Sequence, residues 1–162
     1  MCGIWAFIGD DSSVNVQASI RSFLTLQSRG PDASRMEIKK HFVLGFHRLA
    51  IHDTSVNGQQ PFILQNGDDT YYLICNGEIY NALELIENFK LSVQSSSDCA
   101  IILPLFQVLG FSFTQLNQQL HGEYSLVIVK ESKSTQDVEF FASTDPLSIR
   151  PIFMCTSEDK SY

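Results

Sequence analysis

The strongest constraint on this chain is a set of strand-length runs that are apolar at consecutive rather than alternate positions: Gly3-Ile-Trp-Ala-Phe-Ile-Gly9, Phe42 to Ile51, Tyr71 to Cys75 and Glu123 to Lys130. A strand of that kind has to be covered on both faces, so its sheet must lie inside a stack of layers. Phe62 to Leu64, Val138 to Ser143 and Ile149 to Cys155 are further strand candidates, with Ser132 to Asp137 as a polar loop. Helical spacing occurs from Asn15 to Ser28, stopped by Arg29-Gly-Pro-Asp32, and from Asn81 to Lys90, with Asn81 as its cap. A third helix is expected over Asp98 to Leu109, kinked or divided by Pro104. Gln94-Ser-Ser-Ser97 reads as a flexible loop. Strands at both ends and helices in the middle predict an α+β layered sandwich.

Composition narrows the function. Eleven Lys and Arg against eighteen Asp and Glu give a net charge of −7, which leaves no basic surface for nucleic acid or an anionic membrane. The longest apolar stretches, Cys2 to Gly9 and Ala100 to Phe111, fall short of the roughly 18 residues of a bilayer span. No Lys or Arg precedes Arg21, so the N-terminus reads as the start of the fold and not as a signal peptide. The cysteines at 2, 75, 99 and 155 form no C-x-x-C pair, which fits a reducing, cytoplasmic compartment. Histidines 41, 47, 52 and 121 include no H-x-x-x-H pair, and His47 and His52 would face opposite sides of one strand, so no metal site is expected. Neither a Walker A loop nor a G-x-G-x-x-G loop occurs.

Cys2 is the residue best placed for chemistry. Removal of Met1 would put a thiol of pKa about 8.5 and an α-amine of pKa about 7.8 in one residue, a nucleophile with its own general base. The alternative from the residue alone is a small buried cysteine at the start of a strand.

Met1-Cys-Gly-Ile-Trp-Ala6, Arg29-Gly-Pro-Asp32, Phe46-His-Arg-Leu-Ala-Ile-His-Asp53, Gly58-Gln-Gln-Pro61, Cys75-Asn-Gly-Glu-Ile-Tyr-Asn81 and Ser97-Asp98 occur in one order. Together they resemble the glutaminase domain of asparagine synthetase, a class II, N-terminal-nucleophile glutamine amidotransferase domain. The resemblance implies a four-layer α/β/β/α sandwich of antiparallel sheets. It makes Cys2 the nucleophile toward the side-chain amide of L-glutamine, with Asn76 and Gly77 donating to the oxyanion. It assigns the substrate α-carboxylate to Arg48 and the α-ammonium to Asp98 and Glu78, with backbone around Ile51 and His52 completing the pocket. Helix capping is the competing role for Asp98. Arg29 and Asp32 match a supporting loop beside the nucleophile, His47 and Gln60 are packing or pocket-wall residues, and Cys75 and Cys99 are buried structural thiols.

The last third departs from the resemblance. Gly122-Glu-Tyr-Ser-Leu126 stands where Gly-x-Phe-Ala-Phe is usual, Thr144-Asp145 replaces an Arg-Asp dipeptide, and Ser148 replaces a glycine. Residues 1–162 are expected to form a single amidotransferase domain lacking its last strands and the ATP-binding synthetase domain. No cofactor is expected in this domain, ATP and magnesium being implied only for the absent one. The expected partners are glutamine and a synthetase domain or subunit that takes the ammonia, with a homo-oligomer as a further candidate. The other reading is a catalytically silent, shortened homologue that serves as an interaction module for a synthetase partner.

Overall fold

A computed structural model of the chain describes residues 1–9 and 16–156. Their strands form two antiparallel sheets. The first has the order β1-β3-β2, from β1 (Gly3–Ile8), β2 (Ala33–Ile38) and β3 (Phe42–Arg48). The second has the order β4-β5-β6-β7, from β4 (Phe62–Asn66), β5 (Asp69–Ile79), β6 (Gly122–Ser132) and β7 (Val138–Thr144). The helices are α1 (Val16–Leu24), α2 (Ala82–Phe89), α3 (Ile102–Val108) and α4 (Phe113–Gln119), with short 3-10 turns at Gln27–Arg29, Val56–Gly58 and Asp98–Ile101.

Strand parity builds the layers. Along β3, Phe42, Leu44 and Phe46 meet Tyr72 and Ile74 of β5 and Val127 and Val129 of β6, which forms a core between the sheets. The alternate residue His47 stacks on Phe23 of α1 with ring centroids 3.7 Å apart. Every residue of β3 is consequently buried. On β5 and β6 the opposite parity, Tyr71, Leu73, Cys75, Tyr124, Leu126 and Ile128, enters a second core with α2, α3 and α4. The result is the expected four-layer α/β/β/α sandwich. Phe106 of α3 is fully buried and lies edge-on to Tyr71, Phe111, Phe113 and Phe141. Each aromatic pair of this kind contributes about 0.5–1.5 kcal/mol beyond its buried area.

Several expectations are corrected. The first helical segment ends at Leu24, before a separate turn, and its Asn15 lies outside the described residues. Ile149–Cys155 is not a strand, because it pairs with no sheet. Asn81 does not cap α2 through its side chain. Its Nδ2 donates to the Gln119 carbonyl at 2.9 Å and its Oδ1 accepts from the His121 amide at 3.0 Å, which ties α2 to the end of α4. The segment Gln94–Ser97 is held and not loose, since Ser95 is buried and both Ser95 and Ser96 donate to Asp53. Pro104 sits in the first turn of α3, where its missing donor is not needed, and the expected helix is divided just before it at Ile101–Ile102. No described helix is long and apolar enough to cross a membrane.

Candidate active site

β5 runs without a break through Asn76, Gly77, Glu78 and Ile79, each in register with β6 (Gly77 opposite Tyr124, Asn76 opposite Ser125). The Asn-Gly-Glu motif is therefore carried on sheet and not on a turn. A Cβ at position 77 would collide with the Glu123 carbonyl and the Tyr124 backbone, so glycine is required here by the approach of β6. Asn76 is 8% exposed, and among the described residues its side-chain amide neither donates nor accepts a hydrogen bond, which leaves both of its N–H groups free to donate.

Cys2 lies immediately before β1. Its thiol is in contact with the end of β3: the Leu49 amide donates to Sγ at 3.4 Å, and Sγ–H points to the Leu49 carbonyl at 3.7 Å. Burial pushes the thiol above its ordinary value, while the Leu49 bond and the terminal ammonium pull the other way. Met1 is 52% exposed, borders the same cavity as Cys2, and its sulfur lies 3.9 Å from a terminal nitrogen of Arg29.

Arg48, the last residue of β3, is buried, and among the described residues no carboxylate is within ion-pair distance of it. Main-chain carbonyls hold it: one terminal nitrogen donates to the Ser55 carbonyl at 2.7 Å and the other to the Asp53 carbonyl. Gly58 supplies the space, since a Cβ there would meet the guanidinium. A buried cation held only by dipoles retains its demand for an anion.

The Asp53 carboxylate accepts from the Ser55 amide and hydroxyl at 2.8 and 2.6 Å, and from the Ser95 hydroxyl and Ser96 amide at 2.6 and 3.0 Å. The Ser55 and Ser95 hydroxyl bonds hold its pKa well below the usual carboxylate range against the cost of burial. Asp98 takes the Ile79 amide on Oδ2, which fastens its 3-10 turn to the end of β5; Ser97, not Asp98, stands at the cap position of that turn. Its other oxygen receives nothing from the described residues. Glu78 and His52, each about half exposed, approach to 3.5 Å, an ion-pair distance only when the imidazole is protonated.

Cys2, Arg48, Ile51, His52, Asn76, Gly77, Glu78 and Asp98 all border one cavity of about 140 Å³. Arg29 and Asp32 do not. Arg29 Nε donates to the Cys2 carbonyl at 3.2 Å, and Asp32 accepts the Ala50 amide at 2.7 Å, so the loop braces the segments on which the cavity is built. His47 is a packing residue, bonded to Ser34 and the Phe23 carbonyl; His52 lies beyond β3, so the two histidines do not share a strand. Gln60 is a wall residue whose side-chain amide closes a ring with both the amide and the carbonyl of Cys75. Asp53 and Gly58 also border the cavity and had no role assigned from sequence. The available signal was Asp53-x-Ser55, an aspartate two residues before a serine amide that it can accept.

The fold is that of an amidotransferase: a glutamine phosphoribosylpyrophosphate amidotransferase from B. subtilis superposes with a TM-score of 0.61 over 78% of this chain and 34% of its own, at 19% identity. The chain belongs to the glutamine amidotransferase domain family, which matches residues 1–162. It is 39% identical over 158 residues to a protein of Acanthamoeba polyphaga mimivirus named as a probable glutamine-hydrolysing asparagine synthetase, over 94% of this chain and 27% of that one. To the glutamine-hydrolysing asparagine synthetases of Gallus gallus and Homo sapiens it is 34% identical over 163 residues, 98% of this chain and 27% of each of theirs. The chain thus spans little more than a quarter of the length of these relatives.

Proposed function

We propose that this chain is a glutaminase that releases ammonia from L-glutamine for the ATP-dependent conversion of aspartate to asparagine by a synthetase domain or subunit. The observation that carries the proposal is the single cavity in which a thiol, an amide donor and charges of opposite sign face one another. A free amino acid needs an anion site and a cation site at a fixed separation. Arg48 offers the first with no carboxylate of the described residues competing for it, and the open oxygen of Asp98 with Glu78 offers the second.

With Met1 removed, the α-amine of Cys2 takes the thiol proton as Sγ attacks the side-chain amide carbon. The C–N bond then breaks, the same proton goes to the leaving nitrogen, and ammonia departs from a γ-glutamyl thioester. Water, deprotonated by the same amine, hydrolyses the thioester to glutamate and restores the thiol. In both tetrahedral intermediates the oxyanion is held by the Asn76 amide and the Gly77 N–H; one such donor contributes roughly 3 kcal/mol.

Ammonia release from glutamine by the purified chain tests this, with intact mass confirming loss of Met1 and a Cys2→Ala variant in parallel. Release abolished in the variant establishes the thiol as nucleophile. A folded, Met1-free chain that binds glutamine without turnover would support the interaction-module reading instead.

A further inference from the structure

Of the three thiols that the proposed chemistry leaves unused, Cys75, Cys99 and Cys155, the first two touch. The Cys99 thiol donates to the Cys75 sulfur at 3.4 Å and lies 3.8 Å from the Gly77 carbonyl. At 1% and 3% exposure they are closed to large reagents, yet both border the cavity, which admits a small one. All the described cysteines are free: Cys2 is engaged with Leu49, and Cys155 is exposed and elsewhere. The backbones of the pair are anchored, Cys75 by its ring with Gln60 and the turn of Cys99 through Asp98 to Ile79. Closing 3.4 Å to a bonded sulfur pair takes about 1.4 Å of further approach.

We propose that Cys75 and Cys99 are a modification site: a reversible disulfide formed by a peroxide-class oxidant that enters the cavity. Cys75 attacks one peroxide oxygen, the O–O bond breaks, and the products are a sulfenic acid at Cys75 and one water. The Cys99 sulfur then attacks the sulfenic sulfur and displaces its oxygen as a second water. Two thiols and one hydrogen peroxide become one disulfide and two waters. The order follows from the hydrogen bond, since Cys75 receives it and Cys99, held well above its ordinary pKa by that bond and by burial, keeps its proton. A dithiol reverses the reaction. The bond would join the strand that carries Asn76 and Gly77 to the turn that carries Asp98; if the cavity takes glutamine as proposed, its shape then answers to redox state.

The test treats the full chain with hydrogen peroxide, removes the excess with catalase, and follows free thiols after denaturation, intact mass and cysteine-containing peptides. The expected result is loss of two of the four thiols, a mass lower by two hydrogens, a Cys75–Cys99 linked peptide, and full recovery with dithiothreitol. A Cys2→Ala variant should give the same linked peptide and Cys99→Ala should give none. Both thiols surviving in the folded chain, a link from Cys2 to Cys75, or gain of oxygen without any link would each overturn the proposal. The peptide map of the parent chain decides the matter even if Cys99→Ala does not fold. Ammonia release does not enter the test, so a failed pairing and a failed glutaminase reading are separate results.

Discussion

Asp53 holds Arg48 with one end and the far side of the cavity with the other. Its main-chain carbonyl accepts from the guanidinium, while its carboxylate binds Ser55, whose own carbonyl takes the second guanidinium nitrogen, and reaches across to Ser95 and Ser96, just before Asp98. One residue thus ties the proposed carboxylate site to the segment that leads into the proposed ammonium site. Asp53→Ala should leave buried donors unpaired and lower the unfolding free energy by about 1–3 kcal/mol, measured by urea denaturation. The KM for glutamine should rise more than kcat falls.

The same residue predicts a pH dependence. A carboxylate whose folded-state pKa is depressed contributes stability above its unfolded pKa, about 3.9, and loses that contribution as the pH falls toward the folded value. The urea midpoint of the parent chain should therefore decline below about pH 4, and the decline should be shallower in Asp53→Asn.

Arg48→Lys should raise the KM for glutamine about 10- to 100-fold with little change in kcat, because a lysine replaces the planar fork with a point charge that cannot reach the Ser55 and Asp53 carbonyls and a carboxylate together. Initial rates over a range of glutamine concentrations give the split. An equal loss in kcat and kcat/KM would place Arg48 in transition-state stabilisation instead.

Asn76→Ala should show the opposite pattern: kcat down about 100- to 1,000-fold and KM nearly unchanged, since the lost donor is the one proposed for the tetrahedral oxyanion. The melting temperature serves as the control, because the Asn76 side chain holds no other described residue.

Ser148 has a φ of 51°, in the left-handed region. The position at which the resemblance expects glycine is thus one that glycine adopts without strain. Ser148→Gly should stabilise the chain by about 0.5–1 kcal/mol, less whatever the exposed Thr144–Ser148 hydroxyl bond contributes, as read from the denaturation midpoint.

The doubly covered strands were readable because consecutive apolar residues allow no one-sided solution, and β3 and β6 lie close to their expected bounds. β2 was not. Ala33–Ile38 is an edge strand whose serine, arginine and glutamate mix with apolar residues in no alternating order, so only its pairing with β3 reveals it. α4 was also missed, being seven residues long, rich in glutamine and buried chiefly through Leu116, although Ser112 caps it by accepting from the Gln115 amide. Ile149–Cys155 shows the reverse error: its composition suits a strand, but strand formation needs a partner, and its start is instead drawn in by Asp145, a buried carboxylate that accepts the Tyr124, Leu147, Ile149 and Arg150 amides. Motif order alone located the residues around the cavity. What it could not supply was the link from Asp53 to Ser95, 42 positions apart.

The unbroken run of β5 through Asn76 and Gly77 separates the two tasks of the cavity. The proposed oxyanion donors share the stiffness of an eleven-residue ladder with β6, whereas Arg48, at the end of β3, is oriented by carbonyls of the turn after that strand, and Asp98 rides on the turn before α3, which it fastens to β5 at Ile79. Mutational drift in those turns can retune which small molecule is accepted while leaving the reaction geometry where the sheet puts it. Changes in the sheet have no such freedom, because any side chain added at Gly77 must first displace a neighbouring strand.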